Sequence, residues 1–206
     1  MKIAVLVSGS GTNLQTIIDK LHNDTTSGIE IAVVISDRKK VYALNRAKQN
    51  GIPTKVVRAQ DYEDRVAFDQ AISLLIDEFA VELIVLAGFM KLFQSPFVKK
   101  YRNRIINIHP SILPAFPGAT PVADSLAYGV KVTGVTVHFV DENVDTGPII
   151  AQRVVPVNDT DTEEDLHDRI QIEEHNLYPK VIKLFAQGKI QVSGRMVSLS
   201  DSISDL

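Results

Sequence analysis

The first fourteen residues, MKIAVLVSGSGTNL (residues 1–14), decide the fold. Residues 2–7 form an apolar run. The run is far shorter than the ~20 residues of a membrane-spanning helix, so we interpret it as a first β-strand. Ser8-Gly9-Ser10-Gly11 interrupts the run, and apolar side chains then recur at helical spacing, at Leu14, Ile17, Ile18 and Leu21. A strand, a glycine-rich turn and a helix in this order predict the first unit of an α/β fold.

Further along the chain, short runs rich in Val and Ile alternate with amphipathic helical stretches. This alternation is typical of strand-helix-strand units around a parallel sheet covered by helices. Alternating residues from Val135 to Phe139 and an apolar stretch from Pro148 predict two more strands, of which one can be antiparallel. The first five strands are predicted at residues 2–7, 30–36, 53–57, 82–87 and 104–109. We therefore expect one Rossmann-like α/β domain over residues 1–206, with a mostly parallel central sheet of about seven strands and helices on both faces.

The C-terminal part is predicted to contain one long helix. The stretch TDTE (residues 160–163) has the capping-box pattern, which satisfies the first amides of a helix, and Gly188 is placed to end it. Glu173 and Glu174 interrupt the apolar stripe of this helix. An inward carboxylate is unfavourable without a partner, so binding of sugar hydroxyls and a solvated face both stay open. The polar tail, about residues 198–206, is expected to fray.

Composition excludes several classes of protein. The 22 Lys and Arg against 25 Asp and Glu give a net charge of −3 without a run of like charges, so we do not expect nucleic acid as a partner. The chain has no cysteine, which excludes disulfides and thiolate chemistry and fits a cytoplasmic location. The histidines lack a ligand spacing such as His-x-x-x-His, so no metal site is predicted. His138 is interpreted as a half-exposed strand residue.

The glycine-rich turn (residues 8–13) is a candidate anion site. Glycines let the backbone approach a ligand closely, and the start of a helix offers amides to a phosphate. The turn differs from the dinucleotide fingerprint because Leu14 stands where the third glycine belongs, and no Walker lysine follows. The pattern therefore favours a phosphate monoester over a dinucleotide. A tight turn without a ligand is the open alternative.

Asn107 and His109 close the fifth predicted strand, and side-chain alternation points both to the same side. Ligands of open parallel sheets bind at the carboxyl ends of the strands, where this pair and the glycine-rich turn both fall. The histidine can move a proton near neutral pH and the asparagine amide can stabilise an oxyanion, which suggests acyl-group chemistry. The acidic loop (residues 141–147) can supply a carboxylate to the histidine, although the spacing does not show which acid does so.

Four segments give the chain a resemblance to a known family. They are residues 5–14, 86–90, 107–114 and 145–150. The chain resembles the phosphoribosylglycinamide formyltransferase family, folate-dependent transformylases of purine synthesis, over about residues 2–188. The Asn-x-His-Pro-Ser-x-Leu-Pro segment is specific to formyl-tetrahydrofolate enzymes. The resemblance implies transfer of a formyl group from the co-substrate 10-formyltetrahydrofolate to the amine of glycinamide ribonucleotide.

The same resemblance implies roles for individual residues. The catalytic trio would be Asn107, His109 and Asp145. The substrate phosphate would bind backbone amides around Gly11, Thr12 and Asn13, assisted by Gln171. Glu174 would bind the ribose hydroxyls. The folate would contact Met90, Lys91, Leu92, Val140 and Asp141, with Arg65 near its glutamate tail.

Three alternatives stay open. A formyltetrahydrofolate hydrolase shares the Asn-x-His core and resembles residues 115–119, but we expect it to carry an N-terminal regulatory domain. A methionyl-transfer-RNA formyltransferase is expected to need a further C-terminal domain and a basic surface. The third is a catalytically silent phosphate-binding module.

Residues 115–122 depart from the pattern of many relatives, so their substrate contacts are open. We expect small-molecule partners and no membrane, in a monomer or a homodimer.

Overall fold

The structure is a computed structural model that describes residues 1–200. The strands are β1 (Lys2–Val7), β2 (Glu30–Ser36), β3 (Thr54–Val56), β4 (Leu83–Leu86), β5 (Ile105–His109), β6 (Val132–Phe139), β7 (Ile149–Pro156), β8 (Ile190–Ser193) and β9 (Met196–Leu199). The α-helices are α1 (Thr12–Ile17), α2 (Tyr42–Gln49), α3 (Arg65–Glu78), α4 (Ser95–Lys100), α5 (Pro121–Tyr128) and α6 (Glu163–Ala186). A π-helical turn (Ile18–His22) follows α1, and a 3-10 turn (Ala59–Asp61) precedes α3.

The main sheet confirms the predicted fold class. Its seven strands are ordered β3-β2-β1-β4-β5-β6-β7, with parallel pairs throughout β1 to β5 and an antiparallel β6-β7 pair. β1, β2 and β4 are buried along nearly all of their residues. Because successive side chains of a strand point to opposite faces, burial of consecutive residues means that both faces of these strands are covered.

Contacts divide the chain into two compact units, Met1–Asn107 and a second unit that begins at Ile108. The assignment of one domain to the whole chain therefore stays a prediction. In the first unit, the register pairs Leu6 with Leu86 and Leu86 with Asn107. The carboxyl ends of β1, β4 and β5 are thus level with one another. The strand order reverses at β1, and the crevice beside such a reversal is where open α/β sheets bind ligands.

The second unit contains the β6-β7 pair and the helices α5 and α6. Val122, Val155, Leu166 and Ile170 form one of its apolar clusters. The helix α6 begins two residues later than the TDTE pattern predicted. Thr162 is the N-cap residue: its hydroxyl accepts the Asp165 N–H at 3.1 Å, and its own N–H donates to the Asp165 carboxylate at 3.0 Å.

The C-terminal hairpin was not predicted from the sequence. β8 and β9 pair antiparallel, with Ile190 opposite Leu199. The expectation of a frayed tail from residue 198 is therefore wrong for residues 198 and 199, and residues 201–206 of that tail lie outside the described residues. The frayed tail was predicted from its polar composition alone. A hairpin with one half-buried face needs an apolar residue only at every second position, because successive side chains of a strand point to opposite faces.

Candidate active site

The glycine-rich turn follows β1 and is bonded to the segment that follows β4. Ser8 donates its N–H to the Gly88 carbonyl at 3.0 Å, and its buried hydroxyl accepts the Met90 N–H at 2.9 Å. These bonds bring together two segments of the first unit for which the sequence analysis predicted phosphate and folate contacts. Both segments lie at the strand ends beside the reversal of strand order, the usual ligand position in such sheets.

Gly11 gives the turn its shape. Its φ of +76° lies in the left-handed region, and an added Cβ would lie 2.6 Å from Cβ of Ala43. A side chain at this position would therefore meet both conformational strain and a steric clash. Gly11 is the N-cap residue of α1, so the amides of Thr12 and Asn13 belong to the first turn of that helix. Leu14, in place of the third fingerprint glycine, is fully buried.

Residues 90–92 present an apolar surface. The methionine and the leucine at its ends are 66% and 59% exposed, while the flanking Phe89 and Phe93 are buried and stack with ring centroids 5.6 Å apart. The buried rings hold the segment so that its large apolar side chains face outward. Arg65 donates a guanidinium hydrogen bond to the Leu92 carbonyl. The structure therefore brings Arg65 next to the segment with which the resemblance grouped it.

In the second unit, His109 and Asp145 meet. The Nδ1 atom of His109 lies 3.5 Å from Oδ2 of Asp145, and the histidine residue is 4% exposed. The Nε2 atom lies 2.8 Å from the Phe116 carbonyl oxygen. Because a carbonyl oxygen only accepts hydrogen bonds, Nε2 carries the hydrogen and Nδ1 faces the carboxylate. Asn107 precedes His109 by two residues on β5, so strand alternation places the amide on the same side of that strand.

The segment after β5 holds both members of this pair through its backbone. The Phe116 carbonyl binds His109, and the Gly118 N–H donates to Oδ2 of Asp145 at 2.8 Å. The segment is itself fixed by Ser111, whose hydroxyl donates to the Ala115 carbonyl at 2.6 Å. These backbone groups were missed in the sequence analysis, and no side-chain pattern could have revealed them.

The structure separates the roles of the two aspartates of the acidic loop. Asp145 reaches His109, whereas Oδ1 of Asp141 accepts the Thr146 hydroxyl at 2.7 Å and the Asn143 N–H at 3.2 Å. Asp141 therefore stabilises the conformation of the loop by hydrogen bonds within it. Gly147 lets the loop pack on β6, because an added Cβ would lie 1.8 Å from the Phe139 carbonyl oxygen. Asp145 itself has a φ of +54°, a strained conformation for an aspartate.

His138 is a further member of this cluster. The interpretation of His138 as a half-exposed strand residue is wrong, because the side chain is 2% exposed. Its Nε2 lies 3.7 Å from Oδ1 of Asp145, and its Nδ1 lies 2.8 Å from the Phe139 carbonyl oxygen. Burial, as the largest effect, lowers the pKa of His138, so this histidine tends to stay neutral. Thr136 and His138 are polar residues at alternate positions of a mostly apolar strand, and this pattern was the sequence signal that could have indicated an inward-facing polar cluster.

The helix α6 carries the remaining predicted substrate residues. Glu174 is buried, whereas Glu173 and Gln171 are half-buried. Residues three apart on a helix lie on the same face, so Gln171 and Glu174 are neighbours. Val140, at the start of the acidic loop, is half-buried.

Residues 1–200 lack two kinds of feature. No group of three or more His, Asp or Glu side chains among them is arranged to hold a metal ion. None of the helices in this part of the chain has the length and apolar character needed to cross a membrane.

Comparison with known proteins identifies the class. The Formyl transferase family model matches residues 1–182, so the chain belongs to the formyl transferase family. Within the family, the chain is 41% identical over 192 residues to phosphoribosylglycinamide formyltransferase of Escherichia coli (strain K12), covering 93% of this chain and 90% of that protein. The resemblance inferred from the sequence is confirmed.

Two further relatives extend the comparison. The chain is 44% identical over 191 residues to the human trifunctional purine biosynthetic protein adenosine-3, covering 93% of this chain; it spans about a fifth (19%) of that protein's length. The crystal structure of glycinamide ribonucleotide transformylase 1 from Symbiobacterium toebii superposes with a TM-score of 0.94 at 47% identity, covering 98% of this chain and 94% of that one.

Proposed function

We propose that this chain transfers the formyl group of 10-formyltetrahydrofolate to the amine of glycinamide ribonucleotide, in the cytoplasm, as a step of purine synthesis. The observation that carries the proposal is the His109–Asp145 pair: a buried imidazole 3.5 Å from a carboxylate, on the strand that also bears Asn107. Together with Asn107, the pair offers an amide donor, an imidazole ring and a carboxylate, which are the groups that acyl transfer to an amine requires.

The reaction begins when the substrate amine attacks the formyl carbon and an oxyanion develops on the formyl oxygen. The Asn107 amide and a protonated His109 would stabilise this charge, and one preorganised donor contributes about 2.7–4 kcal/mol. Asp145 would hold the imidazolium through Nδ1. The Phe116 carbonyl, which accepts the Nε2 hydrogen in this structure, is the acceptor that the formyl oxygen must share or displace.

The proton balance needs no outside reagent. A bond forms between the amine nitrogen and the formyl carbon, and the bond between that carbon and the folate nitrogen breaks. The proton lost by the amine passes to Asp145, through a water molecule, and then to the leaving folate nitrogen. Tetrahydrofolate and the formylated ribonucleotide are released. Positioned proton transfer of this kind contributes roughly 10²- to 10⁴-fold to the rate.

Ribonucleotide binding in this proposal uses the residues that the resemblance assigns to it. The backbone amides of Gly11, Thr12 and Asn13 would bind the phosphate, assisted by Gln171, because the start of a helix attracts anions. The buried carboxylate of Glu174 would accept hydrogen bonds from the ribose hydroxyls.

Folate binding would rest on the apolar surface of residues 90–92 and on the segment that starts at Val140 and Asp141. An exposed apolar surface of this kind suits the flat pterin ring. Arg65, already anchored to the Leu92 carbonyl, would face the glutamate carboxylates.

The test is the release of tetrahydrofolate, followed by ultraviolet absorbance with and without glycinamide ribonucleotide. Transfer predicts release that depends on the ribonucleotide. Release without it would instead indicate a hydrolase, and no release with either mixture would indicate a binding module.

A further inference from the structure

Residues 89–94 lie between β4 and α4 and include the apolar surface of residues 90–92. None of them belongs to a helix or a strand, so their backbone lacks the regular hydrogen bonds of those elements. Side chains of other segments bind this backbone at every second residue, through three contacts: Ser8 with the Met90 N–H, Arg65 with the Leu92 carbonyl and Asp69 with the Gln94 N–H. The conformation of the apolar surface therefore depends on these side chains.

Asp69 makes the contact at the end of this segment, where α4 begins. Its Oδ2 accepts the Gln94 N–H at 2.7 Å, and the residue is 4% exposed. Burial, as the largest effect, raises the pKa of Asp69, while the Gln94 N–H and the charge of Arg65 act in the opposite direction. A hydrogen bond from an N–H to a carboxylate is shorter and stronger than one between neutral groups. Asp69 therefore fixes the backbone next to the apolar surface.

Asp69 and Arg65 act from the same face of α3. They are four residues apart, so their side chains are neighbours on the helix surface. The arginine is a donor to the Leu92 carbonyl and the aspartate is an acceptor for the Gln94 N–H. The two side chains thus bind complementary backbone groups two residues apart, and together they define the direction in which the segment leaves the apolar surface.

Side-chain packing alone does not fix this end of the segment. On the buried side, the Phe93 ring stacks on Phe89 and Phe97, with centroids 5.6 and 4.1 Å apart. A partly open cavity of about 130 Å³ lies between α3 and the start of α4, and both Asp69 and Gln94 line it. Because close packing is what resists displacement in a protein interior, the unfilled space leaves this task to the hydrogen bond.

We propose that Asp69 is a positioning residue for the folate: through the backbone of Gln94, it holds residues 90–92 in the conformation that binds the co-substrate. The inference rests on the proposed function. A binding segment that is already held in its bound conformation loses less entropy when the ligand arrives. The effect of Asp69 is therefore expected on folate affinity, with little effect on the chemical step.

A pair of variants tests this role. Asp69→Ala removes the acceptor of the Gln94 N–H, whereas Asp69→Asn keeps a side-chain oxygen that can accept it. We expect the KM for 10-formyltetrahydrofolate to rise about tenfold in Asp69→Ala and to stay within about threefold of the parent in Asp69→Asn. In both variants, kcat and the KM for the ribonucleotide should change by less than about threefold.

Asp77, on the same helix, provides the matched control. Its Oδ2 accepts a hydrogen bond from Nζ of Lys100 at 2.8 Å, so it also joins α3 to α4, but at the last residue of α4. Asp77→Ala should leave both KM values unchanged. A folate KM that rises equally in Asp69→Ala and Asp77→Ala, or equally in Asp69→Ala and Asp69→Asn, would overturn the proposal and assign Asp69 to helix packing.

Binding of tetrahydrofolate, measured by calorimetry, keeps the inference separate from the proposed function. The dissociation constant should follow the same order as the folate KM, and equal constants in the parent and Asp69→Ala would overturn the inference. Absence of ribonucleotide-dependent release in the unaltered chain would overturn the proposed function and leave the calorimetric order standing.

Hydrogen exchange of the unaltered chain covers the case in which the variants fail to fold. The Gln94 amide should exchange at least about tenfold more slowly than in an unstructured peptide, although it lies outside the helices and strands. Exchange at the rate of an unstructured peptide would show that Asp69 does not hold this backbone, and it would overturn the inference.

Discussion

The glycine-rich turn and the acidic loop are both short connections with an indispensable glycine, but they place their functional groups by opposite means. In the turn, Gly11 itself adopts the left-handed conformation, and the functional groups are backbone amides. In the loop, Gly147 packs against the Phe139 carbonyl, and the strained residue is the functional one, Asp145. A turn of the first kind tolerates changes of exposed side chains, whereas a loop of the second kind depends on the side chain at its tip.

The largest expected effect comes from removing the functional side chain of the loop. Asp145→Asn and His109→Ala should each lower kcat by roughly 10²- to 10⁴-fold, because the charge pair and the proton acceptor are lost. Thermal unfolding should show that both variants remain folded. Near-normal turnover of either variant would show that the pair does not carry the chemistry.

A smaller loss is expected when the loop is displaced and Asp145 is kept. Gly147→Ala places a Cβ 1.8 Å from the Phe139 carbonyl oxygen, so the loop must move. A displacement of about 1 Å can cost about 10²-fold in rate. We expect kcat to fall with KM for the ribonucleotide nearly unchanged. An unaltered kcat would mean that the position of Asp145 does not depend on this contact.

Gly11→Ala should raise the KM for the ribonucleotide and leave kcat nearly unchanged. The left-handed conformation of an alanine costs roughly 1–2 kcal/mol, and the added Cβ also meets Ala43 at 2.6 Å. We expect a lower melting temperature and a KM for the ribonucleotide about tenfold higher, measured in the same absorbance assay.

The neighbouring glycine is the matched control for this variant. An added Cβ at Gly9 meets nothing within 4 Å, so Gly9→Ala should change little. Equal KM values for the ribonucleotide in the two variants would show that phosphate binding does not depend on the shape of the turn.

The smallest effect is predicted for a carboxylate outside both regions. Asp161 accepts two hydrogen bonds from Arg169, at 2.8 and 2.6 Å, and this contact holds the pKa of Asp161 well below its usual range. A depressed pKa contributes stability that is present at neutral pH and is lost as the pH falls below about 4. Asp161→Asn should lower the melting temperature at neutral pH, lose this difference in acid, and leave kcat unchanged. A pH-independent difference would contradict this origin.

The fold could be predicted well because its signals are local. Apolar runs of strand length and helical spacing of apolar residues depend only on neighbours in sequence, and the five predicted parallel strands agree with the structure to within one residue at each end. The predicted start of α6 was two residues too early because Thr160 and Thr162 each begin a capping-box pattern. In the structure Thr162 is the N-cap residue, and Asp161 accepts hydrogen bonds from Arg169. The β8-β9 hairpin was missed because four-residue strands carry a weak pattern.

The amino-acid sequence by itself determined the α/β class, the glycine-rich turn, the Asn107 and His109 pair and the family, since each depends on residue types at fixed spacing along the chain. Tertiary structure decided which acid of the loop meets His109, and that His138 joins them. It also decided that the Phe116 carbonyl and the Gly118 amide hold the pair. Backbone donors and acceptors are the same in every residue, so only folding can select the ones that orient a site.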